Sequence, residues 1–319
     1  MEWLGGTLYL QWLGLMAKKT FPEHLWHPAY WPTWAMIAGL RISAFLPWKI
    51  KLWLGRALGE FGYRFIKRRR HIAETNVRLC FPELNSNEQQ ALVKRIFHAN
   101  GIGVFETATG WCRDPEHLRH RVTFKGTEHM ERAKAQGKGV LIIGIHFSTL
   151  DLGGALHSLF FDADVVYRPH NNPLFESFMT NARNHIFGQA IDRHDLRGVV
   201  RRIKSGHAVW YSPDQDFGRS VSVFAPFFGI NAATIKLTAK IARMTGAPVM
   251  PLMFHRNDDN RTYTLEYLPA LENFPSGDDV ADATQVNEFI EQAIRRHPEQ
   301  YLWLHRRFKT RPRGETSFY

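Results

Sequence analysis

Gly137-Lys-Gly-Val140-Leu-Ile-Ile-Gly-Ile-His146-Phe-Ser-Thr-Leu-Asp151 decides the fold. Residues 137–139 read as a turn, and 140–146 as a continuous apolar run ending in a histidine. An apolar run without alternation fits a strand buried on both faces, as in a parallel sheet covered by helices on each side. Further strands are expected at 163–168, 207–212, 248–255 and 262–268. Helical patterns lie between them at 173–187, 196–204, 232–244 and 284–296. Upstream, Ser86-x-x-Gln89 reads as a capping box that opens a helix to about residue 99, with another helical stretch at 103–111. The fold class is therefore α/β, a mostly parallel central sheet flanked by helices, preceded by an N-terminal helical region.

The composition supports a folded body. Of 319 residues, 44% are hydrophobic and 13% aromatic, enough apolar surface to offset chain entropy and to exclude a disordered or low-complexity chain. Two cysteines, Cys80 and Cys112, exclude a disulfide scaffold. A mean hydropathy of −0.31 excludes a polytopic membrane protein while leaving room for one anchor.

The net charge of +11 comes from two places. Lys49, Lys51, Arg56, Arg64, Lys67, Arg68, Arg69 and Arg70 face Glu60 alone, and Arg306, Arg307, Lys309, Arg311 and Arg313 face no acid. Such patches suit an anionic surface, lipid headgroup or nucleic acid, or are simply solvated charge. No RRM, KH or helix-turn-helix signature is present, so nucleic acid is not the expected partner.

The first patch follows an apolar segment holding Trp31, Trp34 and Trp48, with Arg41 its only charge. Residues 33–46 would make roughly 21 Å of helix, short of a ~30 Å hydrocarbon core. Counting from Pro28 gives a barely sufficient span. Membrane attachment is expected, either spanning or lying in the interface, with the C-terminal part on the cytoplasmic side. Residues 1–71 are read as a membrane anchor with a basic juxtamembrane helix, and 72–319 as the catalytic domain. A second apolar stretch, 3–16, lacks a basic start and a small-residue cleavage site, so it makes a poor signal peptide.

Ligand sites in open α/β sheets collect beyond the carboxyl ends of strands. Three such ends are polar: His146-Phe-Ser-Thr-Leu-Asp151, Tyr167-Arg168-Pro-His170 and Ser212-Pro-Asp214-Gln-Asp216. With His146 at the strand end and Asp151 in the next helical turn, the carboxylate can turn back to the imidazole. That is a base with an orienting acid, able to deprotonate a hydroxyl nucleophile. Alternatively, Ser148-x-x-Asp151 is a capping box and His146 a satisfied core histidine. Arg168 either binds an anionic group or pairs with Asp214 or Asp216. Metal-ligand spacing is lacking.

His146-x4-Asp151, the 167–174 segment Tyr-Arg-Pro-His-Asn-Asn-Pro-Leu, Asp214-Gln-Asp-Phe-Gly218 and the block 299–312 together resemble the late acyltransferases of lipid A biosynthesis, the lauroyl/palmitoleoyl branch above all. The likeness runs from about His27 to Tyr319. Members of that family begin near Met16, which makes residues 1–15 an extension or Met16 the true start. The close branch often has Glu where this chain has Asp151.

The resemblance implies a glycerolipid-acyltransferase-like fold at the inner membrane of a Gram-negative cell. It implies transfer of a fatty acyl chain from acyl carrier protein to a hydroxyacyl OH of Kdo2-lipid IVA, an anionic lipid. A broader alternative is another glycerolipid or glycolipid acyltransferase using acyl-CoA or the acyl carrier. In this reading His146 is the general base, Asp151 orients it and Asp214 assists. Tyr167, Arg168, Asp216, Arg306 and Arg307 are expected to meet substrate, and no cofactor is needed.

Overall fold

The computed structural model describes residues 22–319. The apolar stretch 3–16 and the choice of start at Met16 lie outside them. Two short 3-10 turns, Glu23–Trp26 and Pro28–Tyr30, lead into four helices. These are α1 (Trp31–Ala44), α2 (Trp48–Phe65), α3 (Lys67–Cys80) and α4 (Ser86–Cys112). Next come β1 (Val122–Lys125), α5 (Thr127–Ala135), β2 (Val140–Ile143), α6 (Leu150–His157), β3 (Asp164–Tyr167) and α7 (Pro173–Ile186). The chain continues through β4 (Ala190–Asp192), α8 (Leu196–Lys204), β5 (Ala208–Tyr211), β6 (Ser222–Phe227) and β7 (Ile230–Ile235). It ends with α9 (Leu237–Thr245), β8 (Val249–Arg256), β9 (Tyr263–Tyr267), α10 (Asp279–Arg296) and an extended C-terminal segment.

Seven strands form one sheet in the order β1-β9-β8-β2-β5-β3-β4. Every pairing is parallel except β8 with β9. All four residues of β2 are buried, as a strand between two helical layers requires. The mostly parallel α/β sheet read from the apolar run at 140–146 is therefore present.

Three local expectations are corrected. Residues 232–235 continue a β6–β7 hairpin before α9 starts. Its two-residue turn, Phe228-Gly229, has both φ values positive, 51° and 73°. That backbone suits a tight hairpin but usually advertises itself by Asn-Gly or Asp-Gly. The cap of α4 is Asn85, one residue before Ser86, with Glu88 closing the capping box. The two helical stretches at 86–99 and 103–111 are one uninterrupted helix. Gly101 and Gly103 interrupt the sequence pattern, but tertiary contact needs them. A methyl on Gly101 would stand 2.1 Å from the Gly55 carbonyl oxygen of α2, and one on Gly103 2.4 Å from that of Ser148.

The segment 28–48 is not one continuous helix. The α-helix stops at Ala44, Phe45 and Leu46 turn, and Pro47 precedes α2. Among the described residues no helix is long and apolar enough to cross a membrane. Arg41, awkward in a span, sets its guanidinium 5.6 Å from the Phe178 ring centroid on α7. The α2 helix packs Gly55, Gly59 and Gly62 inward against α4 and leaves Trp53, Phe61 and Phe65 in the open.

Candidate active site

The strands β2 and β5 are parallel neighbours, with Ile143 beside Tyr211. Each chain runs three residues past that pair before reaching a titratable group, His146 on one and Asp214 on the other. The Gly144 N–H still donates to the Tyr211 carbonyl at 2.9 Å, so the two chains leave the sheet together. As a result Asp214 Oδ1 lies 2.6 Å from His146 Nδ1, and Oδ2 accepts the His146 backbone N–H at 2.9 Å. Asp214 is fully buried, while the His146 side chain keeps one quarter of its surface exposed.

This pairing corrects the sequence expectation. Asp151 does not reach His146 as its hydrogen-bonding acid. It lies in the first turn of α6, and its carboxylate takes the Trp111 indole N–H at 3.0 Å, the Arg183 guanidinium at 3.2 Å and the Thr107 hydroxyl at 3.4 Å. The capping box read at Ser148-x-x-Asp151 is not formed either, since Thr149 caps α6 without a side-chain bond. Asp151 and Arg183 nonetheless stand close enough to act on the charge of His146, in opposite directions.

The ionisation of the pair follows from burial and mutual attraction. Desolvation opposes the imidazolium, but the Asp214 charge and hydrogen bond outweigh it and raise His146 above its ordinary value. Desolvation likewise opposes the Asp214 carboxylate, and His146 together with the backbone N–H bond holds it below its ordinary value. Nδ1 is committed to the carboxylate, which leaves Nε2 to meet a substrate proton.

Arg183, which the sequence reading did not single out, stands at this site. It is mostly buried on α7, with Tyr167 and Trp111 rings about its guanidinium at 5.5 and 5.7 Å. Its signal was its place on the inward face of α7, next to buried Ala182. Arg168, singled out instead, is exposed and pairs with neither Asp214 nor Asp216. Tyr167 gives its hydroxyl to Glu176 at 2.9 Å.

Two other residues expected to meet substrate, Asp216 and Arg307, are bonded within the fold. Asp216 accepts from the Thr310 N–H at 2.6 Å and the Thr310 hydroxyl at 2.9 Å, tying the C-terminal segment to the β5 loop. Arg307 is buried, bonded to the Ala233 carbonyl at 2.8 Å and the Thr234 hydroxyl at 3.0 Å, over the Phe227 ring. It is thus unavailable to a headgroup or carrier. Arg306 is half-exposed beside it. In the first basic patch, Lys51 is buried between the Ala44 carbonyl and the Thr109 hydroxyl, and burial lowers its pKa to about 8. The remaining cations from Lys67 to Arg69 are exposed.

A buried acid–imidazole pair with an open Nε2, beside a fixed arginine, is equipped to deprotonate a hydroxyl and to face developing negative charge. Comparison with known proteins identifies the family. The family model for bacterial lipid A biosynthesis acyltransferase matches residues 18–310. The chain is 39% identical over 300 residues to the lipid A biosynthesis palmitoleoyltransferase of Escherichia coli (strain K12), covering 94% of this chain and 98% of that protein. The lipid A biosynthesis lauroyltransferase of the same organism is also 39% identical over 300 residues, with the same coverage. The lipid A biosynthesis myristoyltransferase of that strain is more distant, at 28% over 301 residues, covering 94% and 93%. The chain belongs to the bacterial lipid A biosynthesis acyltransferase family.

Proposed function

We propose that this enzyme moves a fatty acyl chain from acyl carrier protein to a hydroxyacyl OH of Kdo2-lipid IVA, with His146 as general base. The observation that carries the base assignment is the 2.6 Å bond between His146 Nδ1 and buried Asp214. Nε2 takes the proton of the acceptor hydroxyl as its oxygen attacks the thioester carbonyl. An ester C–O bond forms, the C–S bond breaks, and the proton passes on to the leaving thiolate. Asp214 holds the ring in one tautomer and stabilises the imidazolium. Such acid–base help is worth ~10²–10⁴-fold. Arg183, held by Asp151, is placed to stabilise the oxyanion of the tetrahedral intermediate. Asp151 then acts through Arg183 and not through the imidazole.

Residues 1–71 serve the membrane in this reading and 72–319 the chemistry, at the cytoplasmic face of the inner membrane. Support comes from the outer surface of α1 and α2. Trp31, Met36, Ile42, Phe45, Trp53, Phe61 and Phe65 are exposed there, and Lys67, Arg68 and Arg69 follow. Aromatic and aliphatic groups bordered by cations suit an interface with anionic lipid.

The test is acyl transfer in detergent with laurate, myristate and palmitoleate on acyl carrier protein or coenzyme A, offered Kdo2-lipid IVA or glycerol-3-phosphate. A penta-acyl product from the carrier donor, lost at least a hundredfold in folded His146→Ala, is the expected result. Activity on glycerol-3-phosphate alone would refute the acceptor, and undiminished His146→Ala activity would refute the base.

A further inference from the structure

The C-terminal segment does more than fill the core. Tyr301 packs its ring edge-on to Phe147 and Trp303, which accounts for its burial. Packing does not account for where the hydrogen bonds of this segment go. Phe147 and Tyr301 form an isolated antiparallel bridge. On one side of it the Ser148 N–H donates to the Gln300 carbonyl at 2.7 Å, and on the other the Leu302 N–H donates to the His146 carbonyl at 3.0 Å. The Tyr301 hydroxyl, between them in sequence, donates to the Asp214 carbonyl at 3.1 Å.

Three consecutive residues thus hold both partners of the His146–Asp214 pair, which belong to loops from different strands. The segment is itself anchored. The Gln300 carboxamide accepts the Arg256 N–H at 2.9 Å and donates to the Arg256 carbonyl at 2.7 Å, standing in for a backbone at the end of β8. That strand flanks β2 on the side opposite β5.

We infer that Tyr301 is a positioning residue for acyl transfer, its hydroxyl fixing the Asp214 backbone while its own backbone neighbours fix the His146 loop. The inference rests on the reading of His146 as the base. The physical reason is geometric. Asp214 lies in a loop beyond β5, and a misplacement of about 1 Å in such a group can cost ~10²-fold in rate. Asp151 from α6, Arg183 from α7 and His305 from the C-terminal segment also face the pair, and each has hydrogen-bond partners other than the Tyr301 hydroxyl.

Tyr301→Phe keeps the ring and removes only the O–H, so it separates positioning from packing. In the full chain we expect kcat to fall about tenfold, with KM for donor and acceptor within about twofold. The His146 ring, followed by nitrogen NMR and assigned by its absence in His146→Gln, should titrate at lower pH than in wild type. In an Asp214→Asn background the same substitution should cost nothing more. An unchanged kcat and titration overturn the inference. So does an equal loss in both backgrounds with an unmoved titration. The titration reads independently of turnover, so a wild type that transfers no acyl chain would sink the proposed function while Tyr301 is still judged by His146.

Discussion

At the scale of single residues, the two carboxylates of the site have different jobs. Asp214 bonds His146 directly and is the larger of the two attractive influences on its charge, while Asp151 is spent on Arg183, Trp111 and Thr107. Asp214→Asn removes the main influence raising His146, so the acid limb of the kcat profile should move to lower pH. The plateau should fall about 10²–10⁴-fold as tautomer control is lost. Asp151→Asn should move that limb less and reduce turnover through a loosened Arg183. A profile over pH 5–9 for both variants tests this, and a larger shift from Asp151→Asn would reverse the roles. His146, Asp151 and Asp214 were all legible in the sequence as polar groups beyond strand ends. Their pairing was not, because it depends on β5 lying next to β2, a neighbour relation that strand order sets and local spacing does not carry. Arg183 was hidden for a related reason: it sits in a helix, and its relevance comes from α7 packing across the site.

At the scale of elements, α2 carries its apolar groups on the wrong side for a soluble helix. Glycines face α4, because only they allow the close approach seen at Gly59 and Gly101, and the large side chains are left outside. Trp53 and Phe61 are 68% and 57% exposed. Transferring one such side chain from water into lipid is worth roughly 1.5–3 kcal/mol, so losing two should weaken adsorption by more than tenfold. The double variant Trp53→Glu, Phe61→Glu should therefore bind anionic vesicles at least tenfold more weakly, with a melting temperature within a few degrees of wild type. Cosedimentation with vesicles measures this, and unchanged binding would place the lipid contact elsewhere. The sequence pointed to this region through its tryptophans and lysines, and of its two readings the 14-residue helix matches α1 in length, two residues earlier, while the longer run from Pro28 does not form. Proline at 47 ends the run, and the apolar residues before it divide between α1's exposed face and its packing against α4 and α7. Strands β2, β5 and β8 were easier to read because burial on both faces leaves an unbroken apolar run, whereas the β6–β7 hairpin is only partly buried and turns at an unusual Phe-Gly.

At the scale of the whole molecule, folding encloses imidazoles that have no room for a charge. Burial lowers His157 to about 3, and His255 and His305 to about 4. His157 meets the Tyr267 hydroxyl at 2.8 Å, and the neutral His305 ring accepts the Asp216 N–H at 3.3 Å. In the unfolded chain each regains an ordinary value near 6.5. Between pH 7 and pH 5 the unfolded chain therefore binds more protons at these sites than the folded one. Their contribution to stability is fully present above about 6.5 and is lost as pH falls toward the lowered values. His146 works in the opposite sense, since its raised value favours the protonated folded form, but it is one group against these three and against His117 and His297, which burial also lowers. The melting temperature should consequently drop between pH 7 and pH 5, before the carboxylates titrate. His157→Gln should flatten that slope, whatever its effect on the midpoint at pH 7, because it removes one proton-binding difference. Calorimetry or circular dichroism at half-unit pH steps gives the slope for both proteins. A steeper fall in the variant would show that His157 is protonated in the folded state, and with it that the layer between α6 and the sheet admits a charge that its packing gives no means to solvate.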